Sequence, residues 1–190
     1  MLLIIDNESE YIKIYQKYLD KQRINYIVID HDRRIDMQKY KKAKGAILSG
    51  GSIGLYSKSN VNDYVVLNNF NIPIIGFCMG YELITVAFGG AIKKLAKEQI
   101  GRQEVFIDKK DPIFNGLGKK IILLKKHVNY VSRLPKNFKI LAHSNVCPIE
   151  VIKHKTKPIY GFQSHPEALR DDGEKIMKNF LEICGLKLTK

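Results

Sequence analysis

The chain has 190 residues, 45% of them hydrophobic and 27% charged, enough to bury one sizeable core in a single domain and too apolar for a disordered polypeptide. Apolar runs such as Met1–Ile5 and Ile72–Ile75 fall far short of the roughly 20 residues of a membrane helix. The start lacks the basic and apolar segments of a signal peptide, so no membrane association and a cytoplasmic location are expected. Lys and Arg outnumber Asp and Glu by 32 to 19, a net charge of +13, yet the lysines occur along the whole chain and no aromatic-flanked basic cluster accompanies them. A solvated lysine-rich surface is expected and no nucleic-acid partner; an acidic protein partner or a nucleotide-handling partner is the other reading of that charge.

Met1 to Ile5 reads as a strand, and Tyr11, Ile14, Tyr15, Tyr18 and Leu19 follow at helical spacing. Tyr26–Ile29, Gly45–Leu48 and Ile72–Ile75 give three more short strands, the third ending in Ser49-Gly50-Gly51 and the fourth entering Gly76-Phe77-Cys78-Met79-Gly80. Leu83, Ile84, Ala87 and Phe88 then form a helical stripe stopped by Gly89-Gly90. Alternating strands and helices predict an α/β fold, a mostly parallel central sheet flanked by helices. Further on, Glu104–Ile107, Ile121–Leu124, Phe138–His143, Ile149–Ile152 and Ile159–Phe162 are strand-like runs separated by Gly, Pro and Asn, which predict an antiparallel extension of the same sheet. Asp171 and Glu174 have the spacing of a capping box for a last helix carrying Ile176, Met177, Phe180 and Ile183, with Gly185 past its end. Residues 1–190 read as one domain.

Three cysteines, Cys78, Cys147 and Cys184, form no CxxC pair, so neither a disulfide framework nor a zinc site is expected. Asp30 and Asp32 are two carboxylates without further ligands, and no metal is predicted. Cys78 is distinctive because G-x-C-x-G between a strand and a helix is a nucleophile elbow with sulfur in place of oxygen. At a helix N-terminus the thiolate, the reactive form, is favoured; the alternative is a buried cysteine among packing glycines. Its base must come from elsewhere in the chain. His165, in Gln163-Ser164-His165-Pro166-Glu167, follows a strand and has a carboxylate two residues on to hold its tautomer, although alone this motif reads more readily as a solvated loop. The turn Ser49-Gly50-Gly51 offers backbone N–H groups for an oxyanion, with the N–H of Met79 as a second donor, or is an ordinary strand-to-loop turn. His31 is expected in solvent, and His143 and His154 as strand or turn residues.

These segments, in this order, resemble the class I (triad) glutamine amidotransferases, whose fold is flavodoxin-like. Within them, Phe138–Ser144, Ile149–Gly161 and Asn179–Gly185 are most similar to the glutaminase subunits of archaeal-type GMP synthetases. The resemblance covers nearly the whole chain and implies that Cys78 is the nucleophile, His165 the acid and base, and Glu167 its orienter. It further implies Gly51 and Met79 as oxyanion donors, and Gly50, Glu82 and His127 as residues that bind L-glutamine. No cofactor is implied on this chain; ATP and Mg belong to a separate ATP pyrophosphatase subunit, the expected protein partner, which aminates XMP to GMP. Four positions depart from the family pattern: Glu82 stands where glutamine is usual, Ser52 where proline is usual, Asn129-Tyr130 where two acidic residues are usual, and Ser164 where an aromatic residue is usual. Two other readings stay open at this level. One is a glutaminase serving an anthranilate, aminodeoxychorismate or imidazole glycerol phosphate synthase, and the other a non-catalytic regulatory subunit retaining the fold.

Overall fold

A computed structural model describes residues 1–36, 38–52, 54 and 60–189. Among these residues nine strands form one sheet in the order β2-β1-β3-β4-β9-β8-β7-β5-β6. The first four are β1 (Leu2–Asn7), β2 (Tyr26–Asp30), β3 (Gly45–Gly51) and β4 (Ile74–Phe77); β5 (Ala91–Ile107), β6 (Lys120–Arg133), β7 (Phe138–His143), β8 (Val151–His154) and β9 (Ile159–Phe162) follow. β1 to β4 and β9 pair in parallel, whereas β5 to β8 pair antiparallel, with β8 turning back onto β9. The predicted mixed sheet with an antiparallel extension is the observed one.

Strands buried on both sides explain the run of apolar residues in β1. Leu2 and Ile4 face one apolar cluster with Tyr15 and Leu19 of α1 (Ile12–Lys21) and Ile176, Met177 and Phe180 of α4 (Gly173–Ile183). Leu3 and Ile5 face the opposite cluster with Val66 and Leu67 of α2 (Val61–Asn69) and Ile84 of α3 (Met79–Ala87). Helices on both faces leave the carboxyl ends of β3, β4 and β9 open, the place where α/β sheets build their sites.

Several local expectations need correction. Ile12, not Ile14, is buried on α1; Ile14 is 41% exposed. Helix α2 carries no apolar stripe to read, because its inward positions include Asn62 and Asp63. Asn62 is held by polar contacts, accepting from Ile35 N and donating to the carbonyls of Asp30 and Arg33. Its β-branched Val61, Val65 and Val66 are indifferent helix formers as well. Strand β5 runs far beyond its apolar core because most of it is exposed or half-buried on both faces, which erases the alternation a strand otherwise shows, whereas β6 keeps its alternation but carries Lys125 and His127 at inward positions past Leu124. There is no capping box at α4: Asp171 lies at φ +53° and pairs with Arg102, while the Asp172 carboxylate accepts from the backbone N of Ile122 at 2.7 Å. His31 is half-buried, 3.7 Å from the Glu8 carboxylate, rather than solvated. Gly89 at φ +81° and Gly185 at φ +65° end α3 and α4 as their positions imply. No described helix is long and apolar enough to cross a membrane.

Candidate active site

The chain leaves β4 and enters α3 with a single residue between them, Cys78, whose φ of +46° and ψ of −104° are strained for any side chain but glycine. That strain is the elbow geometry. It is held because Cys78 N donates to Phe162 O at 2.8 Å and Glu82 N to Cys78 O at 3.0 Å. It also needs glycine at position 80, where a Cβ would collide with the Leu48 carbonyl of β3.

Three segments meet the sulfur. From the loop after β9, His165 brings its ring to the thiol, and its Nδ1 lies 2.9 Å from Glu167 Oε1. An Nδ1–H donated to the carboxylate leaves Nε2 for the sulfur, so Cys78, His165 and Glu167 stand in line. From β3 comes the glycine turn, with Gly50 packed under the imidazole. A Cβ at Gly51 would fall inside the Asn7 carbonyl, and Asn7 in turn locks the turn by donating its backbone N–H to Ser49 Oγ at 2.8 Å and its Nδ2 to Asp63 Oδ1 at 3.1 Å. From β6, the Lys126 carbonyl lies 3.8 Å from Cys78 Sγ.

Around these groups is a cavity of about 600 Å³, lined by Gly51, Cys78, Met79, Glu82, His127 and His165 among others. Of the residues inferred from the sequence, Gly50 and Glu167 do not line it and instead lie against the His165 ring. Glu82, 3% exposed, accepts from Asn129 Nδ2 at 3.1 Å and from Gln163 Nε2 at 3.5 Å. His127 donates Nδ1–H to the Asn129 carbonyl at 2.8 Å. The sequence reading did not single out Tyr11, whose ring stacks at 4.8 Å on His165, nor Asn129, Gln163 and the mouth residues Glu8, Glu10 and Glu98. Nothing short of the fold brings residues 8–11 to residue 165.

Electrostatics amends one expectation. Burial raises the Cys78 thiol above its usual range; His165 works against this, and the Glu82 and Glu167 carboxylates add to it. The helix N-terminus therefore does not by itself give a resting thiolate. Burial disfavours charge on His165 too, but Glu167 and Cys78 outweigh it and lift the imidazole to about 10. Glu82 is raised to about 7 by burial, against the pull of Asn129 and Gln163. His127 is lowered by burial, with the Asn129 carbonyl opposing, and stays neutral.

An elbow cysteine facing a His-Glu pair across a parallel sheet defines a thiol acyl-transfer site on an α/β scaffold. The chain belongs to the glutamine amidotransferase class-I family, which it matches over residues 3–184. It is 34% identical over 189 residues to the glutamine-hydrolyzing GMP synthase chain of Methanocaldococcus jannaschii, covering 98% of this chain and 99% of that one. The counterpart from Pyrococcus abyssi is 37% identical over 189 residues, covering 97% and 99%. A Thermoplasma acidophilum crystal structure superposes with a TM-score of 0.88 at 27% identity, covering 97% of this chain and 93% of that one. A Thermotoga maritima glutamine amidotransferase shares the fold with a TM-score of 0.76 at 17% identity, covering 95% and 80%.

Proposed function

We propose that this chain is the cytoplasmic glutaminase subunit of a GMP synthase, hydrolysing L-glutamine and passing ammonia to a separate ATP pyrophosphatase subunit that converts XMP to GMP. The observation that carries the reading is the Cys78–His165–Glu167 constellation, in a chain that matches glutamine-hydrolyzing GMP synthase relatives end to end.

In this reading the proton shared by Cys78 and His165 sits on Nε2, as an imidazolium that Glu167 stabilises, when Cys78 Sγ attacks the side-chain amide carbon of glutamine. The N–H groups of Gly51 and Met79 receive the oxyanion; losing one such donor typically costs on the order of 100- to 1000-fold in rate. The imidazolium gives its proton to the departing ammonia, leaving a γ-glutamyl thioester, and the neutral ring then activates a water that releases glutamate and restores the thiol. Glu167 stabilises the imidazolium in both halves. Glu82 and His127 line the space beside the sulfur that the substrate's amino-acid end requires, with Gly50 behind the imidazole, and a carboxylate at position 82 accepts from the α-ammonium group. ATP and Mg act on the partner, and this chain needs neither for the thiol chemistry.

The test is ammonia release from glutamine by the parent chain and by Cys78→Ala, each alone and with an archaeal-type ATP pyrophosphatase subunit, ATP, magnesium and XMP. Cysteine-dependent turnover that rises in the full mixture, and is lost in the variant by at least about 1000-fold, is the expected result. Turnover indifferent to that mixture reassigns the acceptor, and no turnover in any mixture by a folded chain overturns the reading.

A further inference from the structure

Strand β6 alternates inward and outward, and its inward side reads Ile121, Leu123, Lys125, His127 and Val131, all buried. A lysine in that series is unexpected. Lys125 is fully buried, and its Nζ is bonded to Glu150 Oε1, itself fully buried, and to Ser144 Oγ at 3.0 Å. Ser144 also donates to Glu150 Oε1 at 2.7 Å and accepts from Cys147 N at 3.0 Å, which closes the loop between β7 and β8 around the ammonium group. His127, Cys147 and Glu150 have ligand atoms within 4.8 Å of one another, the donor set of a small metal site. Here the carboxylate already carries a cation, the lysine's own.

The place of this pair in the fold gives it a task. Among the described residues β6 is the sheet's edge, bonded in the ladder to β5 alone, and β5 meets β7 only at Phe106 and Ile107. At Leu124–Lys126, therefore, no strand ladder ties the ribbon to the catalytic half. What does reach across is the Leu124 carbonyl, which accepts from His165 N at 2.8 Å, and the Lys126 carbonyl, 3.8 Å from Cys78 Sγ. Lys125 lies between them in sequence and points the other way, onto Glu150, whose own carbonyl accepts from Gln163 N at 2.9 Å. One side chain thus joins the segment that touches both reacting residues to the strand that delivers His165.

We propose that the buried Lys125–Glu150 pair is a positioning device for the active site, fixing the depth of Leu124–Lys126 so that two backbone carbonyls hold His165 and Cys78 in reacting geometry. Lys125 acts through those carbonyls and touches no reacting atom. The inference rests on the thiol chemistry proposed above.

The experiment follows carboxamidomethylation of Cys78 by iodoacetamide against pH, read on the Cys78 peptide by mass spectrometry, in the full-length parent and in the double variant Lys125→Met/Glu150→Gln. Removing both charges avoids stranding one in the interior, the outcome that makes Lys125→Met alone prone to misfolding. Loss of the cysteine–histidine geometry is expected to move the alkylation profile by about one pH unit and to lower glutamine kcat by about 10-fold or more, with KM changed less than about 3-fold. If the double variant does not fold, Ser144→Ala, which removes the hydroxyl shared by both partners, is expected to shift the profile the same way by a smaller amount. A folded variant with the parent's profile and kcat overturns the proposal, as does one equivalent of zinc on the purified parent, since the cation would then be a metal. A parent that releases no ammonia overturns the glutaminase reading and leaves the alkylation comparison able to decide this one.

Discussion

The two halves of the sheet hold their share of the active site by different means. In the parallel half, β3, β4 and β9 are bonded to one another along their lengths, and the residues they present are set by backbone: a strained elbow at Cys78, close-packed glycines at 50, 51 and 80, and the ladder itself. In the antiparallel half, the ribbon of β5 and β6 forms the cavity's other wall yet is joined to the main sheet by two residue pairs, so its position depends on side chains. Beside the backbone bond from His165 N to the Leu124 carbonyl, the ties include Lys125 on Glu150, Asn129 on Glu82, Asp172 on Ile122 N, Arg102 on Asp171 and Lys126 on Glu10. Changes in the first half should therefore alter chemistry through sterics that cannot relax. Changes in the second should act through charge and be graded by burial.

The steepest effect is expected at Gly50. A Cβ there would lie 2.9 Å from Cε1 of His165, closer than carbon atoms tolerate. The ring cannot step aside, since Glu167 holds its Nδ1 and the Tyr11 ring covers it. Gly50→Ala should lower kcat by about 100-fold through misplacement of the base, with overpacking lowering stability by about 1–3 kcal/mol. Steady-state kinetics alongside a thermal melt checks this; near-parent kcat would mean that the parallel half is softer than its ladders imply.

Glu82 tests the seam between the halves, because α3 supplies it and Asn129 of β6 bonds it. Its carboxyl is raised by burial from an ordinary 4.5 to about 7. A pKa higher in the folded than in the unfolded chain means that the fold prefers the protonated form. Stability from this group is thus fully present below about pH 4.5 and lost as pH rises through about 7. Glu82→Gln keeps an oxygen for Asn129 and removes that loss. It should add on the order of 2 kcal/mol at pH 8, roughly 4–8 °C in Tm, and little at pH 4.5. Asp63, raised by burial in the same direction to about 7, is present in both proteins and cancels from the difference. A Tm difference that does not change with pH would show that Glu82 is solvated or already neutral.

What could be read from the sequence divides along the same line. The elbow, the glycine turn and the His-Pro-Glu segment were legible because backbone geometry imposes residue types: glycine where another backbone passes, a cysteine alone between strand and helix. The apolar runs of β1, β3, β4 and β9 were legible because burial on both faces leaves no polar positions. β5 was not, since a strand exposed on both faces carries no period, and β6 was legible only in part, since polar residues take its inward positions past Leu124. Nor was α2, whose inward face is held by Asn62 and Asp63 hydrogen bonds rather than by apolar residues. Lys125 was hidden for a related reason: among so many lysines only the alternation Ile121, Leu123, Lys125, His127 marks it as inward, and that signal needs the strand to be known first. Tyr11 and Gln163 were placed by the fold alone.

The smallest expected effect closes the comparison from the charged side. Arg102 of β5 makes a two-pronged contact to Asp171, with Nε 2.7 Å from Oδ2, which bridges ribbon and main sheet much as Lys125 does. Its side chain, however, is 63% exposed. Water solvates the guanidinium when the contact breaks, and salt screens what remains, so the pair is worth a fraction of a kcal/mol. Asp171 also keeps its positive φ whether or not the arginine is there, because the turn before α4 is closed by Gly173 N on Arg170 O at 2.9 Å and Asp172 on Ile122 N. Arg102→Ala should shift Tm by no more than about 2 °C, with kcat and the pH profile of Cys78 alkylation unchanged. Set beside Lys125→Met/Glu150→Gln, this isolates burial as the variable, for both changes remove an ion pair between the same two regions. If Arg102→Ala instead moves the alkylation profile as far as the buried double variant does, the ribbon responds to any loosening at its margin, and the task assigned to Lys125 belongs to the ribbon's ties as a set.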